Sequence, residues 1–223
     1  VAARDLTVVG GTLAARFGSG GSWPAIEEEA HALGRLLRDV GAGYLCLIPQ
    51  AGVESQNGRC RAMIDAVERT AEIAREHYGL ATIVHAELHS DVYAEPGIEA
   101  FLEATDPGLV DYCLDVGLHA CGGGDPVAFM RAHHGRIPVL HLTNVDGAVA
   151  ERVRAQGIPF DEAVRMDLFR EPSDGAVDYT ALRAVLAEVG YTGWAISEHP
   201  STFAEPLPPA KRARDYLRQI GIG

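Results

Sequence analysis

Short apolar runs alternate along this chain with longer stretches whose apolar positions recur every three or four residues, the signatures of strands and of amphipathic helices. The run LTVVG at 6–10 predicts a first strand, and a glycine-rich loop, GSGGS, occupies 18–22. A helix starts behind Ser22 as its cap, with Pro24 near its beginning and Glu27, Glu28 and Glu29 in its first turn. Ile26, Ala30, Leu33, Leu37 and Val40 form its apolar face. YLCLIP predicts a second strand ending at Gln50, and a helix follows over 61–78 with Ile64, Val67, Ala71 and Ala74 inward. LATIVHAELHSD predicts a third strand that turns polar at its end, where His85, Glu87 and His89 alternate and so share one face of the pleat. A short helix, GIEAFLEATD, leads to a fourth strand, VDYCLDV at 110–116. A glycine-rich turn, a helix over 125–133 and a fifth strand, IPVLHL, come next. The pattern then loosens into a helix around 150–155 and an irregular segment, IPFDEAVRMDLFREPSDG, of the kind that forms lids and binding loops. The helix YTALRAVLAEVG, a last strand, GWAIS, and a terminal helix over 209–220 complete the chain.

Strands joined through helices in this way run parallel, because a crossover connection is what links parallel neighbours. Six strand–helix units are predicted and no antiparallel hairpin. The class is therefore α/β with a parallel sheet, and no linker divides residues 1–223, so one domain is expected. A complete eight-unit barrel takes about 250 residues, so the count falls two units short.

Composition narrows the function more than the fold. With 47% hydrophobic and 22% charged residues the chain has the make-up of a globular protein, and no apolar run approaches the ~18 residues of a membrane span. A secretory signal is not visible at the start, VAARDLTVVGG. The net charge of −12 argues against nucleic acid, whose binding rests on clustered Lys and Arg. Cys46, Cys60, Cys113 and Cys121 show no CxxC spacing and read as free thiols of a reducing cytoplasm. GSGGS lacks the GxGxxG spacing of a dinucleotide site and reads as a flexible loop.

The candidate chemistry sits where strands end. Glu87, Asp115, His141 and Glu198 each close an otherwise apolar run, and in parallel α/β folds that edge of the sheet is where ligands bind. Any one of them could be satisfied by a helix N-terminus, a backbone amide or water. Four together are better explained by a divalent cation, because three converging carboxylates would otherwise repel one another. Their oxygen and nitrogen donors suit Mn²⁺ or Co²⁺ first, with Zn²⁺ and Mg²⁺ as alternatives. Histidines gather at the same ends: His85, His89, His119, His141 and His199. His85, His89 and His119 are therefore candidate substrate contacts. No basic cluster marks a phosphate site, though Arg170 in the irregular segment could contribute to one, and Trp194 reads as a core residue rather than a sugar platform.

Three segments carry a resemblance: LDVGLHACGGGDP at 114–126, RIPVLHLTNVD at 136–146 and DGAVDYTALRAVLAEVGYTGWAISEHP at 174–200. They resemble the LDTGH…GGDP, HVHLKDV and GxVDFxxLxxxLxxxGYxGWxxxE motifs of the xylose isomerase-like TIM barrels, the sugar phosphate isomerases and epimerases, with inosose dehydratase-like members nearest in pattern. The resemblance implies a (β/α) TIM-barrel fold lacking the first two units of the family barrel. It also implies that Glu87, Asp115, His141 and Glu198 are metal ligands and that Glu87 and Glu198 exchange the substrate proton. The expected activity is isomerisation, epimerisation or dehydration of a sugar or cyclitol, and the alternative is a non-catalytic sugar-binding relative. Three departures stand out: Leu118 replaces the histidine of LDTGH, Thr143-Asn144 replaces the Lys-Asp pair, and Val1 stands where an initiating Met would. An open six-unit sheet would expose apolar edges, so pairing with another copy of the chain is also expected.

Overall fold

The computed structural model describes residues 6–18, 21–50, 61–198 and 207–222, which places Cys60 and His199 outside the described residues. The chain forms two compact units, Val1–Val92 with Pro96–Cys113, and Tyr93–Glu95 with Leu114–Gly223. No described helix is long and apolar enough to cross a membrane.

In the first unit, strands β1 (Gly10–Ala15), β2 (Tyr44–Pro49), β3 (Ala81–His85) and the first part of β4 (Val110–Asp115) pair in parallel, each with the next. Helices α1 (Trp23–Val40), α2 (Arg61–Tyr78) and α3 (Glu95–Ala104) connect them. β1 begins where the sequence reading ended it, at Gly10. The Gly10–Gly11 pair is a strand rather than a turn because neighbours come too close for side chains: a Cβ on Gly10 would lie 2.6 Å from the Tyr44 carbonyl oxygen, and one on Gly11 2.8 Å from the Leu37 side chain.

α2 keeps its expected bounds and buries Ile64, Val67, Ala71 and Ala74 as its period predicts. α1 buries Ile26, Ala30 and Leu37, but Gly34 takes an inward place against the Tyr78 ring and Val40 is exposed. Its first turn holds no acidic residue, and Ser22 sits at the cap without a side-chain bond. The core gathers Leu13, Leu45, Leu47, Val84 and Phe101, with Tyr112 donating its hydroxyl to the Val92 carbonyl at 3.1 Å.

The second unit is dominated by capped helices. Asp115, Asp125, Asp146 and Asp178 precede α4 (Val116–Cys121), α5 (Pro126–His133), α6 (Gly147–Gln156) and α8 (Tyr179–Glu188), and each side chain accepts backbone N–H bonds from its helix's first turn. α4 was expected to be a turn, because a run of small residues and glycines hides a helix this short. β5 (Val139–His141) pairs in parallel with β8 (Trp194–Ile196).

The segment expected to be irregular holds α7 (Phe160–Arg165) and a two-residue strand, β7 (Phe169–Arg170), and α9 (Leu207–Gln219) is the last described helix. β7 pairs antiparallel with β6 (Asn144–Val145), a hairpin-like element that the sequence reading did not anticipate. Asn144 secures it: its Oδ1 accepts from the Val145 and Val177 amides, and its Nδ2 donates to the Pro172 carbonyl at 3.1 Å. Trp194, expected in the core, is 44% exposed, and no residue of the three-residue strand β8 is buried.

Candidate functional site

Three of the strand-end residues belong to the second unit. Asp115 closes β4 and is only 5% exposed. Its Oδ1 accepts the Leu118 amide at 2.8 Å, capping α4, and also accepts the Thr143 hydroxyl in a short hydrogen bond. Thr143 Oγ1 in turn accepts the Gly117 amide at 2.9 Å. Gly117 is required here, since a Cβ would collide with that oxygen. From the other side the Tyr179 hydroxyl donates to the Thr143 carbonyl at 2.8 Å, and burial raises the Tyr179 pKa well above its ordinary value, which keeps the donor proton in place. The Asp115 carboxylate is thus fixed by groups that are themselves fixed.

His141 closes β5, with its Nδ1 2.9 Å from Glu198 Oε2 just beyond β8. The parallel register of β5 on β8, His141 opposite Ile196, is what brings these ends level. Glu198 is 48% exposed, so its carboxylate borders solvent. A ring nitrogen and a carboxylate oxygen at this spacing match two adjacent ligands of one cation: bonds of about 2.1 Å at right angles put their ends about 3.0 Å apart. The donors present therefore fit a divalent ion.

The remaining candidates are placed differently. His85 ends β3 opposite Cys113 in the first unit. β3 stops there, so Glu87 and His89 do not continue its alternation: the Glu87 carbonyl accepts the Ser90 amide at 2.9 Å in a turn, and His89, with φ of 63°, is exposed. His119 lies in α4 rather than at a strand end, 2% exposed, with Nε2 3.0 Å from Glu95 Oε2 and its ring against Phe129. Burial pushes the His119 pKa below its ordinary value, against the pull of Glu95 in the other direction. An ionised carboxylate only accepts, so the neutral ring carries its proton on Nε2. Arg170 pairs with Asp146 at 2.8 Å. The Asp146 carboxyl lies below the usual carboxylate range, held there first by the Val149 amide and then by Arg170. Thr143, Gly117, Tyr179 and Glu95 escape sequence reading as site residues, because their bonds to Asp115, Thr143 and His119 join positions far apart in the chain.

Parallel strands alternating with helices, with acids and a histidine at or just beyond the strands' C-terminal ends, define a βα protein of barrel type, a class in which ligands bind at that edge. The sequence matches the model of the xylose isomerase-like TIM barrel over residues 2–220, and the chain belongs to that family. The inosose dehydratase of Geobacillus kaustophilus (strain HTA426) is 33% identical over 161 residues, 71% of this chain and 52% of the relative. That of Geobacillus thermodenitrificans (strain NG80-2) is 30% identical over 159 residues, 70% of this chain and 53% of the relative. The chain thus spans about half the length of the curated relatives it matches. Among solved structures, the IOLI protein with a binding zinc atom is similar at a TM-score of 0.76 and 14% identity, covering 96% of this chain and 76% of its own. The probable 3-DHS dehydratase AsbF of Bacillus anthracis is similar at 0.75 and 14%, covering 97% and 78%.

Proposed function

We propose that this chain carries the cation-holding and proton-transferring residues of an enzyme that isomerises, epimerises or dehydrates a polyhydroxylated carbonyl compound, a sugar or an inosose-like cyclitol. The observation that carries the reading is the approach of His141 Nδ1 to Glu198 Oε2 at the ends of two paired strands. The inosose dehydratase relatives support the substrate class. Asp115, His141 and Glu198 hold the ion. Glu87, which follows β3 in the first unit, is assigned as the further carboxylate on the sequence motif alone. Nitrogen and oxygen donors favour Mn²⁺ or Co²⁺, with Zn²⁺ and Mg²⁺ as alternatives, and a zinc atom is bound in the similar IOLI structure.

A divalent cation, when bound, polarises a substrate carbonyl and its neighbouring hydroxyl and so acidifies the C–H between them. Glu198, half-exposed and 2.9 Å from His141, is assigned the role of taking that proton, and Glu87 that of returning one or assisting departure of a hydroxyl. Asp115, fixed by Leu118 and Thr143, positions rather than transfers. His85, His89 and His119 are proposed substrate contacts on the sequence pattern; His119 acts through Glu95, given its burial. A reducing cytoplasm suits Cys113 and Cys121, both buried as free thiols.

Glu198→Gln tests the assignment. Exchange of the substrate C–H with deuterated solvent should fall at least ~100-fold, the usual contribution of a positioned base, while weak metal binding persists. Exchange at the parental rate would refute the role given to Glu198. Tight sugar binding with neither metal dependence nor turnover would instead support the non-catalytic reading.

A further inference from the structure

A small cavity in the first unit, of about 180 Å³, opens between the end of β1, the start of α1 and the first half of α2. Phe17, Ile26, Ala62 and Ala66 supply apolar walls, and Arg16, Arg69 and Asp65 supply charge. Asp65 is already engaged, with its Oδ1 2.9 Å from Arg61 Nε. No ion pair among the described residues takes up Arg16 or Arg69. Two guanidinium groups lining one cavity with no ion pair among the described residues to neutralise them give it a positive lining that suits an anion.

One of the two is held in place. The Arg69 guanidinium carbon lies 3.7 Å from the centroid of the Trp23 ring, stacked closely enough for a cation–π contact. A guanidinium held against a ring by its carbon still has N–H groups to donate, and such a group can recognise a two-oxygen edge of a phosphate or carboxylate. Gly18 and Gly21 also line the cavity, so backbone can approach a ligand without side chains intervening. A cavity of this volume has room for a phosphoryl group and the first atoms it is esterified to.

We propose that this cavity is an oxyanion site that takes the phosphoryl group of a small phosphorylated metabolite, with Arg16 and Arg69 as its donors. None of the residues proposed to hold the metal takes part. The sequence shows no basic cluster because one arginine follows β1 and the other sits within α2.

The test uses the metal-stripped chain carrying Trp194→Phe, in which Trp23 is the remaining tryptophan. Inorganic phosphate is titrated against Trp23 emission at constant ionic strength, with chloride and acetate in parallel. The expected result is a saturable response to phosphate, absent with chloride and weaker with acetate. Affinity should fall at least tenfold in Arg16→Gln, which leaves the Trp23 stack in place, and in Arg69→Gln. The same ranking should appear in phosphate-induced rises of the unfolding midpoint, read after near-UV circular dichroism has shown each variant folded. A response that does not saturate, that chloride reproduces, or that survives unchanged in both variants overturns the proposal. Acetate binding as tightly as phosphate overturns the phosphoryl assignment. Because no metal is present, failure here leaves the metal reading standing, and failure of that reading leaves this one standing.

Discussion

Asp115 and Glu198 are both carboxylates at the C-terminal ends of strands, yet the molecule holds them in opposite ways. Asp115 is buried and accepts bonds from a helix amide and from Thr143, which is itself tied to Gly117 and Tyr179. Glu198 is half-exposed, and His141 is its ion-pair partner. Under the proposed function the two would divide the work: a carboxylate locked by its neighbours would define where an ion sits, and a more exposed one would both bind and move a proton.

That contrast is sharpened first by Asp115→Ala. Loss of the α4 cap costs about 0.5–2 kcal/mol, and the buried Thr143 hydroxyl left without its acceptor costs about 1–3 kcal/mol more. Urea unfolding should therefore show a loss near 3 kcal/mol. Asp115→Asn, which keeps an acceptor oxygen, should lose only about a third as much, and equal losses would mean that the hydrogen bonds at Asp115 do not carry its burial. Thr143→Val comes next. The shape is kept, but Gly117 N–H and Asp115 lose a partner, for an expected loss of about 1–3 kcal/mol, with Thr143→Ser recovering most of it.

A smaller effect is pH-dependent. His119 is buried with its pKa depressed, so below pH 6.5 the unfolded chain binds a proton that the folded chain resists. Stability is full above that pH and should decline as pH falls through the depressed folded value, with a slope of at most about 1.4 kcal/mol per pH unit. His119→Gln should flatten the decline between pH 6.5 and 5, and an unchanged slope would place its origin elsewhere. The smallest effect belongs to Glu198→Gln. An ion pair this exposed contributes little, so unfolding should shift by less than about 0.5 kcal/mol even as proton exchange is lost. A large loss of stability would erase the distinction between the two carboxylates.

How far all this was legible depended on the range of the signal. α2 and β2 carry an unbroken period in one element each, and their bounds were readable from it. The positions of Asp115 and His141 at the ends of β4 and β5 were readable because each is a polar residue closing an apolar strand. What failed was whatever a distant neighbour decides. β1 starts at two glycines because Tyr44 and Leu37 crowd them. α4 is a helix because Asp115 caps it, against a sequence that looks like a turn. The β6–β7 pair is two residues long and depends on Asn144 bonds to Pro172 and Val177, too short and too distant for any period. Thr143 could be read only as a missing lysine, whereas its hydroxyl is what holds Asp115.

The central claim, that Asp115, His141 and Glu198 hold a divalent cation, is tested most directly by the unfolding midpoint of the metal-stripped chain with and without Mn²⁺ or Co²⁺, beside His141→Ala. A cation present at ~100 times its dissociation constant should stabilise the folded chain by about 2.7 kcal/mol, seen as a clear rise in the parent and none in the variant. No rise in the parent, or the same rise in His141→Ala, would contradict the claim.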